Sequence, residues 1–156
     1  MLRELIVNTA ESAPAQYKSV AKVTTGTPVV IDKTAGTFAT PSKETAANLY
    51  FVDKERYATG IYAGVTNMSD YHENYTTVEA NEYAKLCGYG YTDVFATSEY
   101  DSTIIESNIG KRVAAKGGKI ILATTVASKY VFDGFYNDNG HKLAKISVAD
   151  DAVANS

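Results

Sequence analysis

The chain reads as a mostly β protein: a single hairpin-rich barrel or sandwich-like domain with short helical segments and an extended N-terminal arm. Two observations predict this. The first is a phrase that occurs twice, glycine, strand, glycine turn, strand, over Gly26–Thr40 and again over Gly110–Thr124. The second is the spacing of further turn signals, of which Asp138-Asn139-Gly140 is the strongest, because an Asn-Gly pair accepts the positive φ angles of a tight hairpin turn. A two-stranded ribbon does not hold together alone in water, so two such hairpins imply further strands around them.

Taken in order, 1–19 is polar and rich in small residues and reads as a flexible arm, with 20–150 as the β domain and 151–156 as a frayed tail. Val20–Val23 resembles an entering strand. In the first hairpin Pro28 sits at a strand start, where its missing N–H is tolerated, and Pro41 closes the second strand. Ser42–Asn48 has the Ala, Lys and Glu content of one or two helical turns. Leu49–Val52 is a short apolar run ending in charge at Asp53–Arg56, as in a buried strand. Gly60 and Gly64 punctuate Tyr57–Val65 like a bulged strand, and Asn67–Thr76 reads as a surface loop. Thr76 and Glu79 have capping-box spacing for a short helix ending at Gly88, with a strand as the alternative. Tyr89–Thr97 is an aromatic strand region, and Asp101 caps a turn running towards Gly110. After the second hairpin, Lys129–Tyr136 is a strand broken at Asp133-Gly134, and the Asn-Gly turn returns the chain through Leu143, Ile146 and Val148.

Composition bounds the function classes. The 156 residues suit one domain, and Leu, Ile, Val and Phe together number 34, only a little above the roughly 20% below which charged chains tend to stay disordered. Twelve Tyr and no Trp point to half-buried positions at edges and interfaces. A net charge of −3 with scattered Lys and Arg argues against sequence-independent nucleic-acid binding. The apolar run Leu5–Val7 is too short for a signal peptide or membrane span, which places the protein in a cytoplasm, and the single Cys87 agrees.

Chemistry is sparse. There is no nucleophile elbow, His72 and His141 fall in a loop and a turn, and no Cys or His cluster has metal-ligand spacing, so neither catalysis nor a cofactor is expected. Gly88-Tyr89-Gly90 lacks the basic residue and following helix of a phosphate loop. Tyrosines concentrate in the middle third, Tyr71, Tyr75, Tyr83, Tyr89, Tyr91 and Tyr100, either completing a Trp-free core or forming an interface; Tyr71, Tyr75, Tyr89 and Tyr91 are taken as partner-binding candidates.

Gly26-Thr27-Pro28-Val29-Val30-Ile31-Asp32 before a glycine turn, Val94-Phe95-Ala96-Thr97, and Gly110-Lys111-Arg112-Val113 before Gly117-Gly118 together resemble the β domain of tailed-bacteriophage head decoration proteins. The resemblance implies a non-enzymatic virion protein on the capsid exterior. Its partner would be the major capsid protein, it could form homo-oligomers, and it would contact neither nucleic acid nor membrane. It also implies an N-terminal arm that orders on the shell, which makes Leu5, Ile6 and Val7 contact candidates. The aromatic stretch 67–100 is longer than in the smallest members. A carbohydrate-binding or adhesion module, with tyrosines stacked on sugar rings, is the alternative from another class, and a small β-rich enzyme is a third.

Overall fold

The computed structural model describes residues 1–9, 11–54 and 76–155, with side chains of 11–15 left aside. The fold is mostly β, as the sequence predicts. Five strands close a barrel: β2 (Glu11–Ser19), β4 (Pro28–Asp32), β5 (Thr37–Ala39), β6 (Tyr50–Asp53) and β8 (Tyr83–Gly88), in the order β2-β5-β4-β6-β8. The β2–β5 pair is parallel and the other barrel pairs are antiparallel. Beside the barrel lies a four-stranded antiparallel sheet of β1 (Leu2–Ile6), β9 (Val94–Thr97), β13 (His141–Val153) and β12 (Ser128–Asp138), in the order β1-β9-β13-β12. Two short ribbons complete the described strands: β3 (Val23–Thr24) with β7 (Thr77–Val78), and β10 (Val113–Lys116) with β11 (Lys119–Leu122). A 3-10 turn at Glu106–Asn108 lies downstream of Asp101, whose carboxylate accepts from the Thr103 amide and hydroxyl.

Alternation along the strands builds two cores. On β6, Phe51 and Val52 are adjacent and both fully buried because they leave opposite faces: Val52 enters the barrel with Val29, Phe38 and Leu86, while Phe51 points out to the sheet. On β8, Leu86 and Cys87 divide the same way. The outward residues meet Phe95, Tyr130, Phe132 and Ile146 of the sheet and Val113, Ala115 and Ile120 of the ribbon in the main core. Phe51 and Phe95 centroids lie 4.5 Å apart, and Tyr89 stacks on Phe95 at 4.2 Å. Each such ring contributes about 1.5–3 kcal/mol by burial, so this aromatic cluster is a principal bond between barrel and sheet.

Both expected hairpins form, as β4–β5 and β10–β11, and they dock on each other. Thr45 and Ala115 exchange backbone hydrogen bonds of 3.0 and 2.8 Å, and the Gly117 amide donates to the Pro41 carbonyl at 2.7 Å. Ser42–Asn48, expected to be helical, therefore serves as a strand-like bridge, because Ala115 supplies partners that an isolated turn lacks. Glu44 fastens this join: its carboxylate accepts from the amides and hydroxyls of both Thr124 and Thr125 at 2.7–3.0 Å. Burial pushes the Glu44 carboxyl up, but these hydrogen bonds outweigh it and bring the pKa from 4.5 down to about 2. A lowered folded-state pKa gives stability that is present above pH 4.5 and lost as pH falls towards 2. Undiscounted the gap is worth roughly 3 kcal/mol, and solvent screening of this half-buried group reduces it to about 1–2 kcal/mol. The urea midpoint of the wild type should exceed that of Glu44→Gln at pH 7, and the difference should shrink as pH falls below 4.5; a pH-independent difference would show that the clasp is not electrostatic.

The third hairpin, β12–β13, turns at Asn139 (φ 52°) and Gly140 (φ 91°), and the break expected at Asp133-Gly134 is a bulge between Phe132 and Phe135 within a continuous strand. Three expectations need correction. The N-terminal segment is not a loose arm: Leu2–Ile6 pairs with 94–97, Glu11–Ser19 closes the barrel, and Met1 and Leu2 are buried. Deleting 1–15 would thus remove a sheet strand and part of the barrel seam. The C-terminus does not simply fray, since β13 extends to Val153 and the Asn155 amide donates to the Arg112 and Ala123 carbonyls at 2.8 Å. Thr76–Gly88 carries strands β7 and β8 instead of a helix, because each finds a distant partner strand.

Among the described residues, the Thr25 hydroxyl is buried without a hydrogen-bond partner. An unpaired buried hydroxyl costs about 1–3 kcal/mol, so Thr25→Val should stabilise the fold by about 1 kcal/mol. Calorimetry would then show a Tm increase of roughly 2–4 °C, and a decrease would mean the hydroxyl is bonded in solution.

Candidate functional site

The segment after β1 and the turn before β9 are held together by one carboxylate. Asp93 is fully buried, and its Oδ1 accepts from the amides of Asn8 at 2.6 Å and Thr9 at 2.9 Å. Oδ2 accepts from the Gly90 amide at 2.9 Å and the Thr9 hydroxyl at 3.0 Å. Burial pushes this carboxyl up, but the amides of Asn8, Thr9 and Gly90 and the Thr9 hydroxyl hold it below its ordinary range, so it stays ionised. The Asp93 amide closes the turn on the Gly90 carbonyl at 3.1 Å, and Thr92 takes φ 75° within it. Gly90 is required there: a Cβ would lie 2.5 Å from the Thr9 hydroxyl oxygen.

This clamp presents an apolar surface. Ile6, Val7 and Tyr91 are 52%, 44% and 57% exposed, on segments joined by the Asp93 bonds and by Asn8 donating to the Thr92 hydroxyl at 3.1 Å. β1 is also the terminal strand of its sheet, so one of its edges faces away from the described ladder. Of the partner-binding candidates, Ile6, Val7 and Tyr91 are exposed and lie on segments that these bonds join. Leu5 is not among them, because it packs half-buried on Met1, Ala96, Leu143 and Tyr136. Tyr89 is a correction: it is 3% exposed, stacked in the main core, and its hydroxyl donates to Glu4 at 3.1 Å. Tyr71, Tyr75 and His72 lie outside the described residues.

The described middle tyrosines form no single surface. Tyr83 is exposed on the barrel beneath the Lys18 ammonium, and Tyr100 packs half-buried against Phe135 at 5.4 Å. A cleft of about 530 Å³ lies beside Tyr100 and Phe135, and the Lys142 ammonium lies 3.6 Å from the Phe135 centroid and covers that ring face.

Cys87 is buried, and desolvation pushes its thiol up to about 12, with Asp53 and Glu4 adding to the shift and Lys85 opposing it, so it is a poor nucleophile. His141 is exposed at the β12–β13 turn. Among the described residues no three of His, Cys, Asp and Glu converge as a metal set, and no helix is long and apolar enough to cross a membrane. Comparison with models of protein families, with curated proteins and with solved structures found no match for this chain.

Proposed function

We propose that this chain is a non-enzymatic structural protein of a bacteriophage virion that docks on the outer surface of an assembled capsid, with the major capsid protein as its partner, and braces the shell. The observation that carries the reading is the exposure of the apolar side chains Ile6, Val7 and Tyr91 on two segments joined through Asp93, next to a terminal strand of the described sheet. Exposed apolar side chains gathered on neighbouring segments mark a surface that is covered in use, and a terminal strand of a sheet can accept an extended partner segment. The resemblance of the hairpin phrases to head decoration proteins supports the same reading. A rigid, preorganised patch loses little entropy on docking, which suits a protein that binds many identical sites on one lattice.

The test uses purified protein and undecorated capsids. Ile6→Asp combined with Tyr91→Asp should reduce co-sedimentation by about tenfold or more, as expected for central apolar anchors, while thermal unfolding stays cooperative. Val20→Asp, which alters an exposed residue after β2 on the barrel, should sediment like the wild type. Equal sedimentation of the double variant and the wild type would place the docking face elsewhere.

A further inference from the structure

A cleft of about 240 Å³ opens beside the apolar patch, lined by Thr9, Asn48, Tyr50, Gly90, Lys129 and Tyr130 among others. Its lining includes the cation Lys129 and the phenol of Tyr130. Lys129 gives one N–H to the Tyr89 carbonyl at 3.2 Å and has no carboxylate within ion-pair reach among the described residues. Tyr130 is 2% exposed, yet its hydroxyl has no hydrogen-bond partner among the described residues and is not sealed from solvent. Burial, with Tyr50 close by, pushes the Tyr130 phenol up, so it remains an O–H donor. Asn48, held at φ 52°, brings an amide to the same lining.

An ammonium that meets the Tyr89 carbonyl and lies 5.6 Å from the Tyr130 ring centroid but has no carboxylate partner among the described residues, together with an unpartnered phenol and an amide around one hollow, matches a negatively charged, acceptor-only group, which among protein side chains is a carboxylate. Two lining residues of the cleft neighbour the docking patch in the chain, Thr9 two residues after Val7 and Gly90 directly before Tyr91. We propose that it seats the carboxylate of an Asp or Glu side chain carried by the docking partner, with Lys129 as counter-ion and Tyr130 as O–H donor, while Ile6, Val7 and Tyr91 cover apolar residues of the same partner segment. The inference rests on the docking reading above and adds the chemistry of what docks.

Two measurements test it separately from that reading. In the first, N-acetyl-glutamate amide and N-acetyl-glutamine amide are titrated into labelled protein at constant ionic strength, and amide shifts are followed. The glutamate compound should shift Thr9, Gly90 and Lys129 saturably, the glutamine compound should not, and Lys129→Gln and Tyr130→Phe should each weaken the response. In the second, co-sedimentation with undecorated capsids should fall about tenfold or more in Lys129→Gln, in keeping with loss of a charged hydrogen bond. Absence of a charge-specific response overturns the inference even if docking is intact. A normal response with undiminished sedimentation of Lys129→Gln also overturns it, because the partner then supplies no carboxylate. Wild-type protein that fails to sediment overturns the docking reading itself.

Discussion

Gly26→Ala is expected to destabilise the protein by about 3 kcal/mol or more, the largest effect expected for alanine at any described glycine. Gly26 takes φ +94°, and a Cβ built on it would meet the Met1 carbonyl oxygen at 2.4 Å and the Thr97 hydroxyl at 2.5 Å. The first of these neighbours is backbone, so it cannot rotate away. The same residue joins barrel to sheet: its amide donates to the Val52 carbonyl at 2.7 Å, and its carbonyl accepts from the Thr97 hydroxyl at 2.8 Å. Alanine therefore adds backbone strain to a steric clash that pushes β1 and β9 away from the barrel. For a domain of this length the loss corresponds to a Tm decrease of roughly 6–12 °C. Gly36→Ala is the control, since its φ is +66° but nothing lies within 4 Å of the added methyl, and it should cost only about 1 kcal/mol. Similar losses in the two variants would show that the Met1–Gly26–Thr97 contact is not tight in solution.

Asp93→Ala is expected to cost roughly 3 kcal/mol and, more specifically, to free the segment that carries the docking patch. Three amides and a hydroxyl lose their acceptor at a fully buried position, so the buried bonds of Asn8 and Thr9 to this turn disappear together and only the exposed side-chain bonds to Thr92 and Tyr91 remain. Hydrogen exchange at Asn8, Thr9 and Gly90 should accelerate at least tenfold relative to amides of β12 and β13. Acid should act on the wild type in the same direction. The Asp93 carboxyl is held below its ordinary 3.8, so its contribution is present above that value and is lost as pH falls below it. Unchanged exchange at these three amides in Asp93→Ala would show that the patch is ordered by something other than this carboxylate.

The parts of this fold that were legible in the sequence are those whose information is local. Gly36, Gly117, Gly118 and Gly140 announce turns because the conformations they adopt, φ between 59° and 91°, are ones that few other residues tolerate. The bulge at Gly134 was visible as a break for the same reason. The N-terminal segment misled because its structure comes from afar: Leu2 sits opposite Thr97, and Glu11 opposite Gly88, and nothing in 1–19 itself specifies those partners. Tyrosines showed the same limit. Tyr89 and Tyr91 are two residues apart, yet the intervening Gly90 and the buried Asp93 send one ring into the core and the other to solvent. The residues that build the site, Asp93, Lys129 and Tyr130, carried no motif; the turn Gly90-Tyr91-Thr92-Asp93, with an Asp placed to accept from nearby amides, was the one local cue.

The most direct test of the docking account is the heat resistance of capsids as a function of bound protein, with occupancy read by co-sedimentation of the same samples. A ligand that binds only the intact lattice stabilises it by RT ln(1 + [L]/Kd), about 2.7 kcal/mol per site at a hundredfold excess over Kd. The account predicts that wild-type protein sediments with undecorated capsids and that their disruption temperature rises with occupancy until the sites are filled, whereas Ile6→Asp with Tyr91→Asp leaves both at the undecorated level. Absence of association by the wild-type protein, or full association without any gain in heat resistance, would contradict it.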